Sequence, residues 1–353
     1  MRTAGAGSGD PAVPELDGAT TLAEALTAMA STGIAVLRDA DGTLLGTVTD
    51  GALRSAALLG ADHGSAISDV SRSVPIWVRR GDDDAVAAAL VGEHHLSMVP
   101  VVDGGAVVGV RTATEVGLDR APTTAVILAG GRGSRLAPLT DKVPKPLLSV
   151  GGRTILERIL ENLALAGITV VHLAVNYMAE VFEERLGDGS AAGVHLTYLH
   201  EHEPLDTAGA LSLLPTTPPG PVLVMNADQI SSLRFDRFVE HHTRAGSAIT
   251  VAAFDHAVDV PYGVLQLDGA GVTGIEEKPT LRMPCNAGIY VLDPEVLALV
   301  PPATPYQMPA LISAAMERGM AVGAFPIIER FIDIGTREEL DKALLWFATG
   351  EEE

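Results

Sequence analysis

Residues 127–148 read ILAGGRGSRLAPLTDKVPKPLL: an apolar run, a glycine-dense turn, then Arg132, Arg135, Lys142 and Lys145 with Asp141 the one acid among them. The whole chain carries a formal charge of −21. Positive charge gathered on a flexible loop of so acidic a protein leaves two readings: an ordinary loop, or one that holds something anionic. Glycine lets backbone amides come close to an anion, and an arginine can add a bidentate clamp. Lys145 stands between Pro144 and Pro146, which restrict the backbone around it and aim its side chain. Lysine is scarce: 24 residues are Lys or Arg, and only Lys142, Lys145, Lys278 and Lys342 are lysine. Two readings fit a chain that prefers arginine but keeps lysine at a few places: a compact ammonium is wanted there, which a broad guanidinium does not replace, or four lysines fall there by chance. The loop is not a Walker A motif, and Leu136 occupies the third glycine position of a dinucleotide fingerprint.

Carboxylates recur at strand ends. In VLVMNADQI, Asp228 closes a hydrophobic run, where it can project into a cleft. In ERFIDIGTREELDKAL, Asp333 lies between apolar residues, Gly335 turns the chain, and Thr336 caps a helix with Glu338 and Glu339 in its first turn. In PYGVLQLDGAGVTGIEEKP a hairpin turn precedes Glu277, Lys278 and Pro279. His200 and His202 share one face of a strand but have no third ligand, so they do not make a metal site.

These residues need a scaffold. From Ala125 onward, strand-like and helix-like runs alternate, which implies a mostly parallel sheet covered on both faces, with ligands at the carboxyl ends of its strands. The first third is an internal repeat. A capping box at Thr21 and Glu24 starts a helix; a strand at residues 34–37, a DADG turn and a strand at Leu44–Thr49 follow. Residues 82–116 repeat that order, and Gly46 and Thr49 recur as Gly109 and Thr112. The expected organisation is a disordered lead-in over 1–13, the repeat pair over 14–118, a linker over 119–124 and the large domain over 125–353.

At 353 residues and 47% hydrophobic content the chain can bury two cores, and with 4% aromatics it must build them from Ala, Val, Leu and Ile. The acidity argues against duplex nucleic acid and against anionic membranes as partners. Cys285 is the single cysteine, so no intrachain disulfide forms, which fits a reducing cytoplasm. The N-terminus lacks the apolar core of a signal peptide, and no apolar run approaches the roughly 18 residues of a membrane span.

LAGGRGSRLAPLTDKVPKPLLSVGGRTILERIL resembles the signature of the sugar-1-phosphate nucleotidyltransferases, the NDP-sugar pyrophosphorylases, with Ser134 where threonine is usual. The resemblance spans about residues 123–347, and the later motifs follow in family order. It implies a Rossmann-like, GT-A-like mixed sheet and transfer of a nucleoside monophosphate from an NTP to a sugar 1-phosphate, with Mg²⁺ on Asp228 and Asp333. It implies that Leu128, Ala129, Gly130, Gly131, Gly133, Ser134, Arg135, Lys145, Glu201, Thr207, Ala208, Gly209, Asn226 and Asp228 bind the nucleotide. Gly263, Glu277, Lys278 and Asn286 would meet the sugar phosphate, and Arg135, Lys145, Asp228, Lys278 and Asp333 would carry the catalysis. Asn-Ala-Asp stands for the usual Asn-Gly-Asp, and Asp206 stands where the base-side motif has glycine. Glu201 or Glu203 accepting from guanine N1–H and N2–H₂ would favour GTP; uridylyl or thymidylyl transfer, and a metal-dependent glycosyltransferase, stay open. A homo-oligomer is part of the same expectation.

The repeat resembles a tandem CBS (cystathionine-β-synthase-type) pair, which implies adenine-nucleotide binding and control of the attached transferase. The acid that usually binds ribose is Ala52 in the first unit and Glu115 in the second.

Overall fold

The computed structural model describes residues 2–3, 12–70, 74–94, 96–118 and 123–349. Most of the expected lead-in and residues 119–122 of the expected linker lie outside the described residues.

Two copies of one unit come first. In one, β1 (Pro14–Asp17) pairs parallel with β2 (Ile34–Arg38), which returns antiparallel as β3 (Leu44–Thr49). In the other, β4 (Val78–Arg79) pairs parallel with β5 (Met98–Asp103), which returns as β6 (Ala106–Thr112). Helix α1 (Leu22–Ala28) makes the first crossover, α2 (Asp50–Leu58) leaves β3, and α3 (Asp84–His94) makes the second crossover. The capping box at the start of α1 forms as the sequence predicts: the Glu24 amide donates to Thr21, and the Thr21 amide donates to Glu24. One core runs through both units, with Ile34 and Val36 packed among Val78, Val91, Val99 and Val101. Neither unit buries its apolar faces alone, which is why the repeat comes as a pair.

The larger part is a seven-stranded sheet. Its strands are β7 (Thr124–Leu128), β8 (Val170–Val175), β9 (His195–His200), β10 (Val222–Asn226), β12 (Ile249–Asp259), β15 (Thr280–Leu292) and β16 (Val322–Ile327). They lie in the order β9-β8-β7-β10-β15-β12-β16, and only β15 runs against its neighbours. The intervening labels belong to a short strand β11 (Gln229–Ser231) and to a hairpin, β13 (Gly263–Asp268) and β14 (Gly271–Glu277); β11 pairs with β17 (Phe331–Asp333).

Adjacent residues of the central strands enter different cores. Ile127, Leu173 and Leu223 face one cluster; Val126, Ala174 and Val224 face the other. This is the signature of strands buried on both faces. Helices α4 (Ile155–Leu165), α5 (Ala179–Leu186), α6 (Phe235–Ala245) and α8 (Arg337–Thr349) supply the first cluster, and α7 (Met308–Glu317) the second. The parallel register brings the ends of β7, β8, β9 and β10 to one edge of the sheet. Among the described residues no helix is long and apolar enough to cross a membrane.

The two parts are locked together by arginines. Arg54 on α2 is only 2% exposed. It donates to Asp50 at 2.8 Å, to Glu329 at 2.5 Å and to the Pro326 carbonyl at 2.9 Å, and it lies over the Phe325 ring. Arg237 on α6 donates to the Ser31 carbonyl and the Ser97 hydroxyl, one from each repeat unit. Gly51 leaves room for the Arg244 guanidinium, which a Cβ there would displace. Removing one member of a buried ion pair strands the other charges. Arg54→Ala is expected to lower stability by about 3 kcal/mol, the low end for such a break, since Glu329 keeps some solvent contact. Denaturant melts measure this; a loss below about 0.5 kcal/mol, the scale of an ordinary surface change, would show that the pair does not hold the parts together.

Candidate functional site

The glycine loop begins where the sheet ends. The Ala129 amide donates to the Ala174 carbonyl and the Ala227 amide to the Leu128 carbonyl, so the loop and the Asn226–Asp228 segment leave the sheet side by side. Gly133 has φ +61°, a conformation natural to glycine. A Cβ there would stand 2.9 Å from the Lys145 Cβ. Gly130 is also tightly approached, with a Glu201 carboxylate oxygen 3.0 Å from where its Cβ would be. Ala in place of Gly133 is expected to push Lys145 aside and reduce turnover about tenfold, with a stability loss near 1 kcal/mol from the left-handed backbone. Parallel kinetics and melts check both, and unchanged turnover would mean that the close packing of loop and lysine does not matter.

Lys145 begins a single 3₁₀ turn, Lys145–Leu147, between its two prolines. It is 8% exposed, and its ammonium donates to Asp228 Oδ2 at 2.6 Å. The other Asp228 oxygen, Oδ1, is buried with no hydrogen-bond partner among the described residues. Asp228 reaches Asp333 through the β11–β17 ladder: Gln229 is paired with Asp333, and the Ile334 amide donates to the Asp228 carbonyl at 3.0 Å. Partial burial and then the Asp228 charge push the Asp333 carboxyl above its ordinary range, while Lys145 and Arg135 pull it back. Thr336 accepts from the Glu339 amide and Glu339 accepts from the Gly335 amide, which fixes the turn after Asp333 as the cap predicted from sequence.

The loop, Lys145 and Asp228 border a cavity of about 400 Å³ lined by Leu128, Ala129, Gly130, Gly131, Gly133, Ser134, Arg135, Lys145, Glu201, Thr207, Asn226 and Asp228, and Asp333, two residues before Gly335, lies outside this lining. Pro146, Pro204, Asp206, Ala227 and Gly335 complete the lining and were not among the site residues expected from sequence; the first four each adjoin a candidate, and Gly335 lies two residues after Asp333. Of the four cations in the loop run, Arg135 and Lys145 line the cavity. Arg132 lies over the Tyr177 ring, and Lys142 is exposed outside the lining.

Ala208 and Gly209 do not line the cavity. Their amides donate to the Tyr306 carbonyl, so they anchor the 201–207 segment from behind. Thr207 lines it, but its hydroxyl accepts from the Met308 amide. Gly263, Glu277, Lys278 and Asn286 also lie outside this lining. Gly263 and Glu277 are paired across the β13–β14 hairpin, and Lys278 follows with φ +49°. Asn286 donates to Tyr290 and accepts from the Gly288 amide. The link to the cavity is Asn226, whose side chain packs against Gly288, two residues from Asn286.

The architecture and cavity can be set against known proteins. Residues 124–347 match the family model described as nucleotidyl transferase. The chain belongs to the nucleotidyl transferase family. Members of this family generally use a divalent metal. Residues 10–59 match the CBS domain model.

Among similar proteins is the mannose-1-phosphate guanylyltransferase catalytic subunit beta of Drosophila pseudoobscura pseudoobscura, 36% identical over 60% of this chain and 59% of its own length. The mannose-1-phosphate guanyltransferase of Saccharomyces cerevisiae is 40% identical over 50% of this chain and 51% of its own. The nucleotidyl transferase described here thus spans between half and three-fifths of the length of the curated relatives it matches. Among solved structures, a putative glucose-1-phosphate thymidylyltransferase from Bacillus anthracis, in complex with a sucrose, matches with a TM-score of 0.52 at 26% identity. That match covers 64% of this chain and 95% of the other. HddC from Yersinia pseudotuberculosis complexed with GMP-PN matches with a TM-score of 0.50 at 26% identity, over 64% and 99% of the two chains.

Proposed function

We propose that this protein transfers GMP from GTP to a sugar 1-phosphate, giving a GDP-sugar and pyrophosphate, with mannose 1-phosphate the leading acceptor. The observation that carries the reading is the cavity itself: a glycine loop with Arg135 and Lys145, and Asp228 paired to Lys145, with Asp333 next to Asp228 on the β11–β17 ladder. The guanine and mannose in this reading are supported by the names of the similar guanylyltransferases.

An oxygen of the sugar phosphate forms a bond to the α-phosphorus while the bond from that phosphorus to the bridging β-phosphate oxygen breaks, and pyrophosphate leaves with the electron pair. The attacking phosphate is already anionic at neutral pH, so no general base is needed. Catalysis is then positioning and charge neutralisation. Amides of Gly130–Ser134 cradle the triphosphate, Arg135 holds the leaving β,γ-phosphates, and Lys145 bridges the α-phosphate and the attacking phosphate. Glu277, Lys278, Asn286 and Gly263 contact the sugar phosphate from the hairpin side.

The carboxylates fit a divalent cation. Asp228 has an unpaired buried oxygen, and Asp333 is disfavoured as an anion beside it; a hard cation relieves both. Among the described residues no three ligating side chains cluster, which suits Mg²⁺, an ion commonly held by one or two carboxylates plus substrate phosphates. Mg²⁺ held by Asp228 and Asp333 would supply neutralisation of phosphate charge.

The protein is further read as a cytoplasmic homo-oligomer in which the CBS pair acts on the transferase. Support for that coupling is the Arg54–Glu329 contact, four residues from Asp333. An adenine nucleotide in the pair has less to hold it: Ala52 offers no carboxylate, and Glu115 already accepts from the Thr112 amide and hydroxyl. A screen of several NTPs against several sugar 1-phosphates, with pyrophosphate detection, tests the main proposal. Pyrophosphate from GTP with mannose 1-phosphate supports it; pyrophosphate from no pairing, with a GDP-sugar consumed instead, favours the glycosyltransferase reading.

A further inference from the structure

The cavity has two ends. The glycine loop follows β7, Asp228 follows β10 on one side of it, and the 201–207 segment follows β9 on the other side, beyond β8. With neighbouring strands about 4.8 Å apart, that segment starts roughly 14 Å from the Asp228 strand. The phosphates belong with Lys145 and Asp228, so the base belongs with residues 201–207.

Three acids lie in that segment, and the structure separates their roles. Glu203 is outside the cavity lining. Glu201 lines it, but one carboxylate oxygen accepts from the Leu205 amide at 2.8 Å and the other packs on Gly130. Asp206 lines the cavity and makes no side-chain hydrogen bond or ion pair among the described residues. Its backbone has φ +60°, a conformation that costs most L-residues and costs glycine nothing. A carboxylate is therefore kept at a strained position where glycine would fit without strain, and strain of this kind collects at functional sites. The Asp206 charge also reaches Glu201, where it adds to burial in raising that carboxyl.

We infer that Asp206 is the residue that reads the base, its two carboxylate oxygens accepting from the N1–H and N2–H₂ of guanine. The inference rests on the guanylyl-transfer reading and deepens it. Guanine presents two donors side by side on its Watson–Crick edge. Uracil and thymine present one donor between two carbonyls, and adenine one donor beside an acceptor. A carboxylate is satisfied at both oxygens by guanine alone and repels the carbonyls of the pyrimidines.

The test is kcat/KM for GTP, ITP, dGTP, UTP and dTTP with the wild-type chain, Asp206→Gly and Asp206→Asn. ITP keeps N1–H and lacks the 2-amino group. Wild type is expected to prefer GTP over ITP by about 10- to 100-fold, the scale of a bidentate base contact. Both variants should narrow that ratio to within about threefold, chiefly by losing GTP. Asp206→Gly should melt no lower than wild type, so the loss cannot come from unfolding. An unchanged GTP to ITP ratio in the variants would overturn the assignment. So would a change confined to the GTP to dGTP ratio, which would place the carboxylate on the ribose. A wild-type chain that uses UTP or dTTP and not GTP would overturn the guanylyl reading itself.

Discussion

Lys145→Ala is expected to lower kcat by about 10²- to 10³-fold, the loss typical of removing one preorganised charge from a water-poor site. The fold should survive. Lys145 lines the cavity and belongs to neither hydrophobic core of the sheet, and its carboxylate partner Asp228 is partly open to solvent. Lys145→Arg should not rescue turnover. The lysine's compact ammonium meets Asp228 at 2.6 Å in a buried position, which a broad planar fork does not reproduce. KM for GTP should rise far less than kcat falls, because the charge matters most when the phosphorus is shared between two oxygens. Steady-state kinetics with circular dichroism melts decide this, and near-normal turnover in a folded Lys145→Ala would remove the lysine from the chemistry.

Asp228→Asn should cost as much for a different reason. Asparagine keeps the shape and can still accept from Lys145, and the backbone bond from Ile334 to residue 228 is untouched. What is lost is the negative charge that a divalent cation needs. The expected result is a kcat reduced by about 10²- to 10³-fold and divalent-ion affinity in the presence of GTP weakened at least about tenfold, the lower bound for disturbing a metal site. Mn²⁺ titration followed by electron paramagnetic resonance reads the second quantity without turnover. Wild-type Mn²⁺ affinity in the variant would show that Asp228 is not a ligand. Asp333, paired with Gln229 next to Asp228, is the second expected ligand, so Asp333→Asn should behave alike.

Local chemistry made much of this visible in advance. The capping box at Thr21, the hairpin before Glu277 and the cap at Thr336 each depend on residues within a few positions, and each forms. The loop, Lys145 and Asp228 were legible because types and spacing carry their own constraint: glycines where a chain must approach, a lysine held by prolines, an acid closing an apolar strand. Long-range support was not legible. Tyr306 anchors Ala208 and Gly209 from about a hundred positions away, and Arg54 meets Glu329 across a separation of 275. No periodicity marks such pairs, because they follow from how finished elements dock. Asp206 was visible as a departure from a glycine, but its meaning depends on a φ of +60° and on an open face toward the cavity, which only the fold supplies.

The central claim is that a sugar phosphate attacks the α-phosphorus of GTP. Labelled nucleotide tests it directly: GTP carrying ³²P at the α or the γ position is incubated with mannose 1-phosphate and a divalent cation. The expected result is α label in the GDP-sugar and γ label only in pyrophosphate. Label from the γ position on the sugar, or α label remaining in free nucleotide while a GDP-sugar is consumed, would contradict it.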